Sequence, residues 1–127
     1  MTAKIAGVVA AGVGALILAA PAQAHHAIGG TVDTGKQVVQ NMTLTKVDWI
    51  NPHAWFHFSL KQANGTVLKD IMIEWMSLSG MRNAGYSEEH FGVGDIYKVT
   101  YYPNRDGSAG GHVVKLIDPS GQVFQRQ

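Results

Sequence analysis

The chain has 127 residues, 46% of them hydrophobic and 15% charged, with a formal net charge of +1 and no cysteine. That length is one small domain, the apolar content excludes a disordered chain, and the absence of cysteine excludes a disulfide framework or a lipid-modified thiol. A near-neutral surface lacks the basic field that nucleic acids and anionic membranes require.

Lys4 is the only charge ahead of an uncharged apolar run from Ile5 to Ala20, and Pro21-Ala22-Gln23-Ala24 follows. A basic start, a short apolar core and a small-x-small ending predict a signal peptide over residues 1–24, hence a periplasmic or secreted protein. The apolar run is shorter than the roughly 20 residues that span a bilayer, so no stable membrane insertion is expected after the leader is removed. Cleavage after Ala24 leaves 127 − 24 = 103 residues beginning His25-His26, with 9 basic residues balancing 9 acidic ones once Lys4 is gone.

Residues 25–36 are Gly-rich and weakly patterned, and read as an extended N-terminal segment; residues 37–127 read as the folded domain. From Gln37, Val38, Val39, Met42, Leu44, Val47 and Trp49 alternate loosely with Thr43, Thr45 and Lys46, which predicts a long, bulged first strand. Asn51-Pro52 turns the chain. Ala54, Phe56, Phe58 and Leu60 then alternate with Trp55, His57, Ser59 and Lys61, a period-two pattern that puts His53, Trp55 and His57 on one face and the apolar set on the other. Asn64-Gly65 is a hairpin turn, and Val67–Met76 is the third strand. Ser77 or Ser79 is a candidate cap for a short helix that turns Leu78 and Met81 inward and ends at Gly85. Gly92–Asp95 is a turn, Ile96–Tyr102 a fourth strand, Pro103–Gly111 a flexible connection, His112–Ile117 a fifth strand and Gln122–Phe124 a short last one.

This order predicts an all-β fold: a small OB-like barrel of five to six strands with one short helix between strands 3 and 4. A small open β-sandwich is the alternative.

The chain resembles a family of small exported bacterial proteins of unknown function. The residues that carry the resemblance are Ala24-His25-His26-Ala27 at the end of the leader, Trp49-x-Asn51-Pro52-His53-Ala54-Trp55, the acid beside a tryptophan at Glu74-Trp75, Gly85-Tyr86, Gly94-Asp95, and Arg105-Asp106-Gly107-Ser108. The family more often has the tryptophan ahead of the acid and Gly-Trp in place of Gly-Tyr. The resemblance implies an exported small β-domain and carries no reaction with it.

Cleavage before His25 creates an N-terminal histidine whose amine and ring nitrogen can chelate one metal. One further histidine completes the three-nitrogen arrangement called a histidine brace, and nitrogen donors in a planar array favour Cu(II). His53, at the tip of the corner, is the first choice for that nitrogen; His26 and His57 are the other candidate metal ligands. The structural alternatives are a polar terminus at His25-His26 and a turn-bonding role for His53. Trp55, Trp49 and Glu74 are the candidate ligand contacts. Trp55 shares the histidine face, Trp49 reads also as core, and Glu74 as one half of an ion pair with Arg82 or a histidine ring. Met72 and Met76 read as core filler, and His90 and His112 as solvated loop histidines.

No nucleophile elbow, phosphate loop or His-Glu-x-x-His motif is present. The expected function is therefore copper binding by an exported protein rather than catalysis. An OB-like module that holds a small molecule, glycan or protein partner through exposed aromatics is the second reading, and a brace-type oxidase the third.

Overall fold

The computed structural model describes residues 31–126. The expected leader, His25 and His26 lie outside those residues. Six strands form one sheet: β1 (Val38–Asp48), β2 (Trp55–Lys61), β3 (Val67–Glu74), β4 (Ile96–Pro103), β5 (Gly111–Ile117) and β6 (Val123–Gln125). A six-residue helix α1 (Leu78–Asn83) and a 3-10 turn (Glu88–His90) lie between β3 and β4.

The pairings make a ring. β1 runs antiparallel to β2 and β4, β2 to β3, and β4 to β5. A short parallel seam, with Ile73 opposite Gly111 and Glu74 opposite His112, joins β3 to β5 and closes the circuit β1-β2-β3-β5-β4. β6 is appended to β5. From Asp48 the partners run Trp55, Glu74, His112 and Tyr102, and the circuit returns to β1 one position beyond the pair Val38–Tyr101, a stagger of at least 48 − 38 = 10 positions. Such a stagger requires strongly tilted strands, as closure of a small sheet does. The all-β, OB-like expectation is met, with the helix where it was placed; two separate packed sheets are not what forms.

The period-two pattern explains which side faces in. Met42 and Leu44 of β1, Phe56 and Phe58 of β2, Ile71 and Ile73 of β3, Tyr97, Val99 and Tyr101 of β4, and Val113 and Leu116 of β5 are all buried in one core. Each such side chain contributes about 1.5–3 kcal/mol on burial. The connection from β3 to β4 adds Met81, Tyr86 and Phe91, and β6 adds Phe124. Phe91 lies 4.8 Å from Phe124 and 5.0 Å from Phe56 between ring centroids, so this aromatic group packs the crossing segment onto the sheet.

Helix α1 begins and ends as its sequence dictates. The Ser77 hydroxyl accepts from the Gly80 amide at 3.2 Å, and Gly85 takes φ +82°. The Gly85 amide donates to Arg82 and the Tyr86 amide to Met81, each at 2.9 Å, which is the double carbonyl closure of a Schellman motif. Replacing Ser77 with Ala removes the cap and is expected to cost about 1 kcal/mol, read as a shift in the urea midpoint with unchanged slope.

The Asn-Pro corner is tied to this helix. The Asn51 side-chain oxygen accepts from the Leu78 amide at 3.3 Å. Ala54 exchanges backbone bonds with the strand-like tail of β3, its amide donating to Met76 and its carbonyl accepting from Trp75, both 2.9 Å. The Asn51-Pro52 peptide is cis.

Candidate functional site

The outward face of β2 and β3 carries the polar residues that the alternation leaves out of the core. Across it, Trp55 faces Glu74, and His57 faces Met72. On the far side of Glu74 lies His112. In OB barrels this face and the loops at its rim, here the corner 49–54 and the connection 104–110, are where ligands dock.

His53 leaves the corner toward β3, and its Nδ1 contacts Glu74 Oε1. The partner of Glu74 is thus the histidine ring rather than Arg82. His112 is half-buried next to this pair. Burial holds its ring below the ordinary histidine value, Glu74 opposes that, and His53 adds to it. His112 therefore belongs to the His53–Glu74 neighbourhood and is no solvated loop histidine. Nothing local in the sequence marks it, because the parallel β3–β5 seam brings together residues 38 positions apart (112 − 74).

His57 sits in a second cluster. Its Nε2 is 2.7 Å from Asp48 Oδ2 and its Nδ1 is 2.6 Å from Asp70 Oδ1, and the residue is only 7% exposed. Lys46 Nζ is 3.0 Å from the other oxygen of Asp48. Lys46 and then His57, by their hydrogen bonds, hold the Asp48 carboxyl below its usual range. For His57, burial is the largest single influence and disfavours the charged ring, but the bonds to Asp70 and Asp48, with their charges, together outweigh it and raise its pKa.

Two irregularities in the strands build this cluster. The pairing of β1 with β2 slips between Leu44 and Lys46, leaving Thr45 as the extra residue, and the Thr45 hydroxyl donates to the His57 carbonyl at 3.0 Å. The pairing of β2 with β3 slips as well: Phe58 faces Ile71 and Leu60 faces Leu68, so Lys69 and Asp70 together stand opposite Ser59. Asp70 absorbs that extra residue at φ +56°, a region that Asp tolerates better than most residues. The expected bulge in the first strand is present; the one in β3 is additional.

The remaining candidates divide as follows. Trp49 is half-buried against the core, 6.2 Å from Phe91. Trp55 is half-buried on the outer face, and among the described residues it takes no part in the aromatic group. Met72 is 38% exposed on the same face, whereas Met76 packs on the core. His90 is exposed, with its Nδ1 accepting from the Ser87 amide at 3.1 Å. Among the described residues no group of three His, Asp or Glu side chains is arranged to hold a metal ion.

These features define a small all-β domain, closed by a parallel seam, whose outer β2–β3–β5 face carries imidazoles and carboxylates. Residues 14–113 match the model of a family of unknown function, DUF6152, and the chain belongs to that family. Comparison with curated proteins and with solved structures gives no match.

Proposed function

We propose that this is an exported protein that binds copper, with His25 at the mature N-terminus supplying its amine and ring and His53 the further imidazole. The observation that carries the reading is the contact of His53 with Glu74 on the face where OB barrels take ligands, with His112 beside them. Neutral imidazoles and a carboxylate are donors suited to copper. His57 is left out, because both of its ring nitrogens are already engaged by carboxylates.

Chain length is compatible with this reading. Val32 bridges Asn104, and the Thr31 carbonyl accepts from the Arg105 amide at 3.0 Å, so the chain ahead of Thr31 starts beside the loop that leads into β5. From Val32 the row passes Asn104 and Gly110 to Met72 on β3, three strand spacings, or about 14 Å, and Glu74, which His53 contacts, lies two residues or about 7 Å further along β3, so the direct span is about 16 Å. The 31 − 25 = 6 residues back to His25 span up to about 20 Å.

Titration of the mature chain with Cu(II), followed by EPR, tests the proposal. One site tighter than micromolar is expected, with nitrogen hyperfine structure. His53→Ala, and one extra residue ahead of His25, are each expected to weaken it at least about tenfold. Unchanged affinity in the extended chain would sink the reading. A second reading rests on Trp55 together with Val67 and Met72, exposed apolar side chains of β3 whose cross-strand partners, Lys61 and His57, lie on the outward side of β2. It makes the face a docking site for a small ligand or a protein, and Trp55→Ala would then remove binding that His53→Ala leaves intact.

A further inference from the structure

A neutral imidazole has one N–H and one lone pair, so it can donate to only one of two carboxylates. His57 has a carboxylate oxygen within 2.7 Å of each ring nitrogen, on opposite strands. Both short contacts are satisfied only by the imidazolium, which donates to Asp48 on β1 and to Asp70 on β3. The charged groups facing the ring are Asp48 and the ring's own cross-strand partner Lys46 on β1, whose ammonium is bonded to Asp48, and Asp70 on β3; its cross-strand partner on β3, Met72, is apolar. We propose that His57 is a protonation latch: the imidazolium ties β1 and β3 to β2 across the outer face, and loss of one proton frees the Asp70 arm while Asp48 stays bound.

The asymmetry follows from the surroundings. The Asp48 side chain is 26% exposed and is held by Lys46, so its oxygens stay in place when the ring is neutral. The Asp70 side chain is 71% exposed and sits on the bulge at a positive φ. A neutral ring keeps its proton on Nε2, toward Asp48, and turns the Nδ1 lone pair to the Asp70 carboxylate, which repels it. Asp70 then swings to solvent, and the bulge at Lys69–Asp70 loses the bond that holds its conformation. The latch is closed in acid and opens in base. Because the folded ring binds its proton more tightly than a free histidine, the stability it confers is complete below about pH 6.5 and is lost as pH rises through the folded midpoint.

A ring-resolved NMR titration of His57 in the wild-type protein, Asp48→Asn and Asp70→Asn tests this. Asn tolerates the Asp70 backbone conformation, so that substitution removes charge without adding strain. Both ring nitrogens are expected to carry protons at pH 6, with a midpoint above about 6.5 that each substitution lowers. Above the midpoint, amide exchange is expected to accelerate at Lys69, Asp70 and Ile71 and not at Lys46–Asp48. A wild-type midpoint at or below the free value overturns the latch, and so does a midpoint that Asp70→Asn leaves in place. Acceleration on β1 instead of β3 overturns the choice of moving arm. The wild-type titration alone decides the first point even where a variant fails to fold.

Discussion

Trp75→Ala is expected to lose about 3–5 kcal/mol of stability, the usual range for removing a fully buried large aromatic. Trp75 is 1% exposed and lies just past β3, its amide bonded to the Ala54 carbonyl. Its ring stands 5.8 Å from Phe56, 5.8 Å from Tyr86 and 6.3 Å from Phe91. Truncation therefore opens a void between the sheet and the crossing segment, on both sides of which the walls are rigid rings that cannot collapse into it. A domain of this size has about 5–15 kcal/mol in hand, so the variant is marginal at 37 °C. Trp49 and Trp55 remain as fluorescent probes, and a urea titration with unchanged slope reads the loss. Trp75→Phe keeps an aromatic at the position and is expected to recover more than half of it. A loss under about 1 kcal/mol in the alanine variant would mean that the site is not close-packed.

Much of this core was legible in the sequence because its causes are local. Ala54, Phe56 and Phe58 alternate strictly with Trp55 and His57, and period two leaves only one way to bury them. Asn64-Gly65, Ser77 and Gly85 mark a turn and two helix ends through their own backbone preferences. What the sequence hides is non-local. The parallel seam of β3 with β5 depends on Gly110 and Gly111, which in the sequence belong to a stretch that reads as flexible connection. The bulge in β3 leaves only the trace that Lys69 and Asp70 interrupt an apolar run.

The site divides along the same line. His53, Trp55 and Glu74 were legible from the corner and the alternation, and the structure puts all three at one end of the outer face. His112 was not, because its neighbour Glu74 is reached only through the seam. The outward position of His57 was legible, but its two carboxylates were not. Asp48 and Asp70 reach the ring from the two flanking strands only because each strand carries a bulge. A search for acidic residues at outward positions of strands flanking a histidine strand would have found them.

The seam is also where a single methyl group should do the most damage after the core. At Gly110, φ is +104° and an added Cβ would run into the Met72 carbonyl oxygen, which is backbone and cannot turn aside. Gly110→Ala therefore combines about 1–2 kcal/mol for an unfavourable backbone region with about 1–3 kcal/mol for forcing two strands apart. Gly107, in the same loop, separates the two causes: its φ is +79° and nothing lies within 4 Å of an added Cβ. Gly107→Ala should show the backbone cost alone. The excess in Gly110→Ala should localise to the seam, with faster amide exchange at Ile73 and Glu74 and at His112, while the longer β1–β2 and β1–β4 pairings keep their protection. Because the ring is closed between β3 and β5 by only two residue pairs, Ile73–Gly111 and Glu74–His112, opening it also parts His112 from Glu74. A protein that binds copper on this face would then lose affinity in Gly110→Ala and keep it in Gly107→Ala, although neither glycine touches the metal. Equal destabilisation by the two substitutions would show that the close approach of Gly110 to Met72 is not what holds the ring shut.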